Sequence, residues 1–280
     1  MFKKNSRKFL LSKRALAIPV TYLILFVSLV AVISATYSFA IVKISAKGAL
    51  LKASVAKQNM QILDDAVHSV AWSFGASEVV YMDDTGGAFQ TEPTAKKLAI
   101  NFTDEQSFSE LVFNSSIGKA FYELESSEFS NDGLFVRGDY RAIINQSAST
   151  MAQLYFGAGN DAKELTLCYR PFATAALVGT SNGKPLNLMR IYIINLNSSE
   201  NLVLREKFYL KVTAVNVTTV TRQYNFNVSV SSLALKTVFD GTSSTVWLPV
   251  SSNVEGAVVN LEIVTCNIKI QRAGCNICHP

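Results

Sequence analysis

The hydrophobic pattern begins with one long apolar run. Residues 16–42 make 27 consecutive positions with no ionisable side chain other than Tyr22 and Tyr37. A bilayer core of about 30 Å needs about 20 helical residues, so the run predicts a membrane-spanning helix. It is too long for the ~7–15-residue apolar region of an ordinary secretory signal. Small residues recur within it at four-residue spacing, as Ala31/Ala35, Ser34/Ser38 and Thr36/Ala40, a pattern that lets helices approach closely. The pattern then changes but keeps the helical period. Ala49, Ala53, Ala56, Met60, Leu63, Val67 and Val70 follow at spacings of three and four, forming an apolar seam. Lys52, Lys57, Gln58, Asn59, Asp64 and Asp65 fall on the other faces. Pro19 suits a first helical turn and Gly75 the position just past a C-terminus. A helix is therefore predicted over 19–74, on the order of 80 Å long, with Gly48 able to kink it near the membrane surface.

From Ser77 the apolar positions switch to a period of two. Strands are predicted at 78–82, 89–92, 97–102, 120–124, 134–138, 164–169, 188–196, 207–217, 224–230, 233–238, 245–249 and 257–270. Turn signals separate them: Asp83-Asp84-Thr85-Gly86-Gly87, Asn131-Asp132-Gly133, Ser181-Asn182-Gly183 and Asp240-Gly241. The expected fold is α+β: a long N-terminal transmembrane and stalk helix, then a mainly antiparallel β-sandwich outer domain. The expected divisions are a basic leader at 1–15, the helix at 16–75 and the β domain at 76–280.

Charge orients this plan. The chain holds 26 Lys+Arg against 21 Asp+Glu, a formal +5. Six of the basic residues (Lys3, Lys4, Arg7, Lys8, Lys13, Arg14) precede the apolar run, and no acid does. The rest of the chain has 20 basic and 21 acidic residues. A nucleic-acid binder carries its basic surface on the folded domain, so no nucleic-acid partner is expected. A basic tail before a span places the N-terminus in the cytoplasm and the β domain outside. A composition of 49% hydrophobic and 17% charged residues also excludes a disordered chain.

The junction Lys13-Arg14-Ala15-Leu16, followed at once by the apolar run, resembles the class III signal peptide of archaeal type IV pilins and archaellins. Lys13 and Arg14 match the two basic positions, and Ala15 matches the small residue before the cut. The stretch from Asn59 to Val67 leading into Ser77-Glu78-Val79-Val80-Tyr81 is similar to helix-to-strand junctions in archaeal pilin-like proteins. The resemblance spans residues 1 to about 75. It implies cleavage by a prepilin-type peptidase, a mature chain starting at Leu16, and partners that are the membrane and other pilin-like subunits met through the N-terminal helix. It implies no enzymatic activity and no cofactor. Ala15 stands where Gly is more usual in the family. Val20 stands where bacterial pilins carry Glu, which weakens a bacterial assignment more than an archaeal one. The alternatives are a permanently anchored, glycosylated surface-binding protein and an anchored c-type haem electron carrier.

Several motifs bear on chemistry. Six Asn-x-Ser/Thr sequons begin at Asn101, Asn114, Asn145, Asn197, Asn216 and Asn227. All lie after the span and are candidate glycosylation sites of an external domain. Cys168, Cys266, Cys275 and Cys278 are disulfide candidates with three possible connectivities. One of these pairs Cys168 with Cys266 and leaves Cys275 with Cys278. Cys275-Asn276-Ile277-Cys278-His279 matches the c-type haem attachment pattern. The same residues with Cys266 form a possible zinc set. Only Pro280 follows, leaving little chain to bury a haem, so a simple disulfide or a free pair is preferred. Gly179-Thr180-Ser181-Asn182-Gly183 has the spacing of a nucleophile elbow but leads into another strand, so a turn is expected. Asp84-Thr85-Gly86 has no second copy to share a proton with, so a hairpin turn is expected there too. His68 is expected on the helix surface.

Overall fold

The computed structural model describes residues 13–124, 133–146, 148–159 and 163–274, with side chains from residue 19 onward. The chain divides into two compact units, Met1–Leu50 and Leu51–Pro280. The division falls inside α1 (Lys13–Val70), the one α-helix among the described residues, so the second part of the helix belongs with the strands. α1 stops four residues before the predicted end. Trp72 adopts a left-handed backbone (φ 69°), which breaks the helix. Its ring meets Tyr192 edge-on at 5.4 Å. Gly75 (φ 78°) then completes the exit, its N–H bonding the Ala214 carbonyl at 2.8 Å.

The strands form two sheets. The five-stranded sheet runs in the order β1 (Ser77–Met82), β10 (Phe208–Phe226), β13 (Ala257–Arg272), β8 (Lys184–Asn195), β7 (Phe172–Ser181). The larger sheet runs β12 (Thr242–Pro249), β11 (Ser232–Phe239), β2 (Ala88–Thr103), β3 (Ser109–Leu124), β6 (Lys163–Tyr169), β5 (Ala152–Ala158), β4 (Phe135–Arg137), with β9 (Val203–Leu204) also paired to β2. Among the named pairs only β8 with β13 is parallel. The class is α+β with mainly antiparallel strands, as predicted.

The differences from the predicted elements have local causes. Two predicted strands merge into β2 because Pro93 is absorbed in an irregularity between Glu92 and Lys96, where a missing N–H is tolerated. β5 shows no clean alternation, since Ala152, Gln153, Leu154 and Phe156 are all buried. β7 holds three Ala and one Gly in its ten residues, which weaken its strand signal. The Asp83–Gly87 turn is not a hairpin: β1 lies in one sheet and β2 in the other, so this segment carries the chain between sheets.

Two clusters of buried residues make the core. In one, Ala56, Met60, Leu63 and Val67 of α1 pack with Leu210, Val212 and Ile268 of the smaller sheet and with Phe89, Tyr122 and Leu167 of the larger. In the other, Leu98, Ile100 and Leu235 pack with Met189, Ile191 and Leu261, without the helix. Burying each such Val, Leu, Ile, Met or Phe side chain contributes about 1.5–3 kcal/mol. Gly118 marks a close approach of the sheets. A Cβ there would lie 2.6 Å from the Leu196 backbone, so only glycine fits. Arg170 is fully buried and clamps the segment before β5, donating to the carbonyls of Thr150, Asp139 and Arg141 and to the Asp139 carboxylate.

Candidate functional site: an exposed apolar helix and a buried polar anchor

Residues 19–42 of the membrane-length run are all exposed within their own unit. Leu23, Ile24, Phe26, Val32 and Phe39 are all more than half exposed, and none of the most apolar window is buried. One N-terminal helix is thus long and apolar enough to cross a membrane. Two of its hydroxyls bond back to the helix's own carbonyls. Ser28 Oγ donates to the Leu25 carbonyl at 2.8 Å and Thr36 Oγ1 to the Val32 carbonyl at 2.7 Å. In lipid, polar groups must be satisfied within the helix in this way. Ala31, Ala35, Ser34, Ser38, Thr36 and Ala40 are exposed. Lys13, Arg14, Ala15 and Leu16 are the first residues of α1, and their side chains lie outside the described part.

Within the second unit the seam is buried as the helical period requires. Ala53, Ala56, Met60, Leu63, Val67 and Val70 are all at most 4% exposed. The polar side of the helix departs from expectation. Asn59 and Asp64, predicted on outward faces, are also buried. The reason is that both sheets contribute residues around this helix, so its buried sector is wider than one seam.

Asp64 is fully buried and organises a polar cluster. Tyr169 of β6 donates its hydroxyl to Asp64 Oδ1 at 2.8 Å. Arg137 of β4 donates to Asp64 Oδ2 at 2.6 Å and to Asp65 Oδ1 at 2.8 Å. His68, one turn along, sets Nδ1 3.0 Å from Asp64 Oδ1, and its ring lies edge-on to Tyr169 at 5.7 Å. Burial alone would raise the Asp64 carboxyl. Bonds from His68, Arg137 and Tyr169, with the His68 charge, outweigh it and hold Asp64 below the ordinary carboxylate range. The hydrogen bond to Asp64 correspondingly raises His68, against the effect of burial. His68 does sit at the surface, as predicted, but as the outer member of this cluster.

A second fastening lies one turn back. Asn59 Nδ2 donates to the Asp83 carbonyl at 2.8 Å and to Tyr122 Oη at 3.0 Å, and Asn59 Oδ1 accepts the Asp83 N–H at 3.2 Å. The next residues close on themselves, with the Gly86 N–H bonding Asp84 Oδ1 at 2.8 Å. Asp84-Thr85-Gly86 is thus a side-chain-stabilised turn between sheets. Gly179–Gly183 closes the β7–β8 hairpin, with Asn182 (φ 51°) and Gly183 (φ 81°) supplying the two left-handed positions that a tight hairpin turn needs. Its context is strand–turn–strand, and Ser181 is the last residue of β7.

The remaining predicted sites are scattered. Asn114, Asn145, Asn197, Asn216 and Asn227 are exposed, while Asn101 is half-buried in β2 between β11 and β3. Cys168 and Cys266 are both buried free thiols, so the predicted pairing between them is not made. They lie on strands of different sheets and in different core clusters. Burial pushes the Cys168 thiol up to about 12, which leaves it a poor nucleophile. Cys275, Cys278 and His279 lie outside the described residues. Among the described residues no three His, Cys, Asp or Glu side chains converge as a metal site. Comparison with protein families, curated proteins and solved structures finds no match to this chain.

Proposed function

We propose that the chain is a membrane-anchored, pilin-like structural or accessory subunit of an archaeal type IV pilus-like filament or secretion system. In this reading a prepilin-type peptidase cuts after Ala15, the N-terminus lies in the cytoplasm, and the β domain, read as a sandwich, lies outside. The observation that carries it is helix α1 itself. Its first part exposes an apolar surface with no unsatisfied hydroxyl at Ser28 or Thr36, and its second part is fastened into the β domain through Met60, Leu63 and Asp64. A helix of that kind can pass from lipid to a helical bundle without exposing apolar surface to water. Head-to-tail packing of such helices propagates an open filament. The basic leader, absent acids and small residue before the run support processing.

Mass spectrometry of the N-terminus, from cells containing a prepilin-type peptidase, tests this. A start at Leu16 is expected. An intact Met1 would replace the proposal with a permanently anchored surface protein, and a start near Ile41 with a secreted one.

A further inference from the structure

A cleft of about 310 Å³ opens between β3 and the β10–β13 face of the smaller sheet. Its polar wall is a row of side chains set by strand register. Asn195 of β8 pairs with Asn267 of β13, and Thr265 of β13 pairs with Thr218 of β10. Phe113 of β3 supplies an apolar side, and Asn197 stands at the rim. Asn195 is buried, and both its amide oxygen and its amide nitrogen are bonded. Its Oδ1 accepts the N–H groups of Gly118 (3.1 Å) and Asn197 (3.0 Å), and its Nδ2 donates to the Ser116 carbonyl (2.9 Å). It therefore fixes both the cleft wall and the turn that carries Asn197. Asn267 differs: its Oδ1 is buried and accepts no hydrogen bond among the described residues.

A buried, unanswered carbonyl destabilises the folded state. The oxygen has almost no accessible surface as it stands, but a turn of the Asn267 amide, which lines the cleft, presents it to a donor there. The neighbouring hydroxyls of Thr218 and Thr265 and the ring of Phe113 suit a ligand that has several hydroxyls and one apolar face. The volume is at the small end of ligand sites, which run from about 300 to 1,000 Å³, so it suits one ring rather than a chain. The sequons supply a source. Asn197 is itself an acceptor, and Thr218 and Ser115 belong to the sequons of Asn216 and Asn114. We propose that this cleft is a saccharide site, built to hold the first sugar of a glycan linked to Asn197, with a sugar hydroxyl donating to Asn267 Oδ1. The linked form rests on the extracellular placement proposed above; the cleft chemistry does not.

The test uses the full chain in detergent, prepared from a glycosylating archaeal host and from a non-glycosylating bacterial host. Glycopeptide mass spectrometry reads occupancy at Asn197. In the glycosylated protein, Asn197→Gln is expected to lower the melting temperature by about 2–4 °C. That loss should disappear when Asn267→Leu or Thr265→Val is already present, as a double-mutant cycle reads it. Asn145→Gln should show no such coupling. In the bacterial protein, methyl glucoside and methyl N-acetylglucosaminide are titrated by NMR. Coupling supports the linked sugar. Binding that is lost in Asn267→Leu, without coupling, supports a saccharide site filled from solution. Absence of both overturns the proposal. Unmodified sequons throughout would count against the extracellular placement alone, because the titration still reads the cleft.

Discussion

The Tyr169 hydroxyl donates to Asp64 Oδ1 at 2.8 Å across 105 positions of chain, and both groups are buried. This bond ties helix α1 to the larger sheet. Replacing Tyr169 with Phe removes the donor and keeps the ring. A cost of about 1–3 kcal/mol is expected, because a buried acceptor loses a partner. Arg137→Met should cost more, roughly 3 kcal/mol, because it strips a buried carboxylate of its permanently charged partner. Urea unfolding of the detergent-solubilised chain measures both. Equal and negligible losses would show that the cluster does not hold the helix.

The same cluster predicts a pH dependence. His68 is raised above 6.5 in the folded state, so its stabilisation is complete below about 6.5 and is lost as pH rises through the folded value. Asp64 is lowered below 3.8, so its contribution is present above that value and is lost as pH falls through the folded one. The urea midpoint should therefore be higher at pH 5.5 than at pH 8.5. His68→Gln should remove most of the difference, and a difference unchanged in that variant would place its origin elsewhere.

Helix packing gives a third expectation. Met60 and Leu63 are fully buried between residues of both sheets. Met60→Ala or Leu63→Ala should each destabilise by about 2–5 kcal/mol through lost burial and the cavity left behind. Ile62, on an exposed face, provides the control, and its Ala variant should fall within about 0.5 kcal/mol of the parent.

Gly118→Ala should be disproportionately harmful for one methyl group. The added Cβ meets backbone rather than a movable side chain, and overpacking of this kind costs about 1–3 kcal/mol. Loss of the Gly118 N–H bond to Asn195 should accompany it, readable as faster amide exchange at residue 118. Unchanged exchange and stability would mean that the sheets separate freely there.

Joint replacement of Lys13 and Arg14 by Glu should leave the leader uncut in cells with a prepilin-type peptidase, seen as an N-terminus still at Met1. Cleavage at the parental rate would remove the class III resemblance as a basis for the proposed function.

The apolar run, the seam from Ala53 to Val70 and most strands were legible in the sequence, because each rests on a period that neighbouring residues impose on one another. The turns at Asn182-Gly183 and Asp240-Gly241 were legible for the same reason: their left-handed backbones depend on local residue type. Tertiary structure decided the rest. That Asp64 and Asn59 are buried, that the Asp83–Gly87 turn crosses between sheets, that Cys168 and Cys266 lie apart, and that Asn195, Asn197 and Asn267 meet at one cleft all depend on strands distant in sequence. No local spacing encodes which strands become neighbours. That choice comes from the collective burial of both sheets around the helix, and it alone turns solvent-facing polar positions into buried partners.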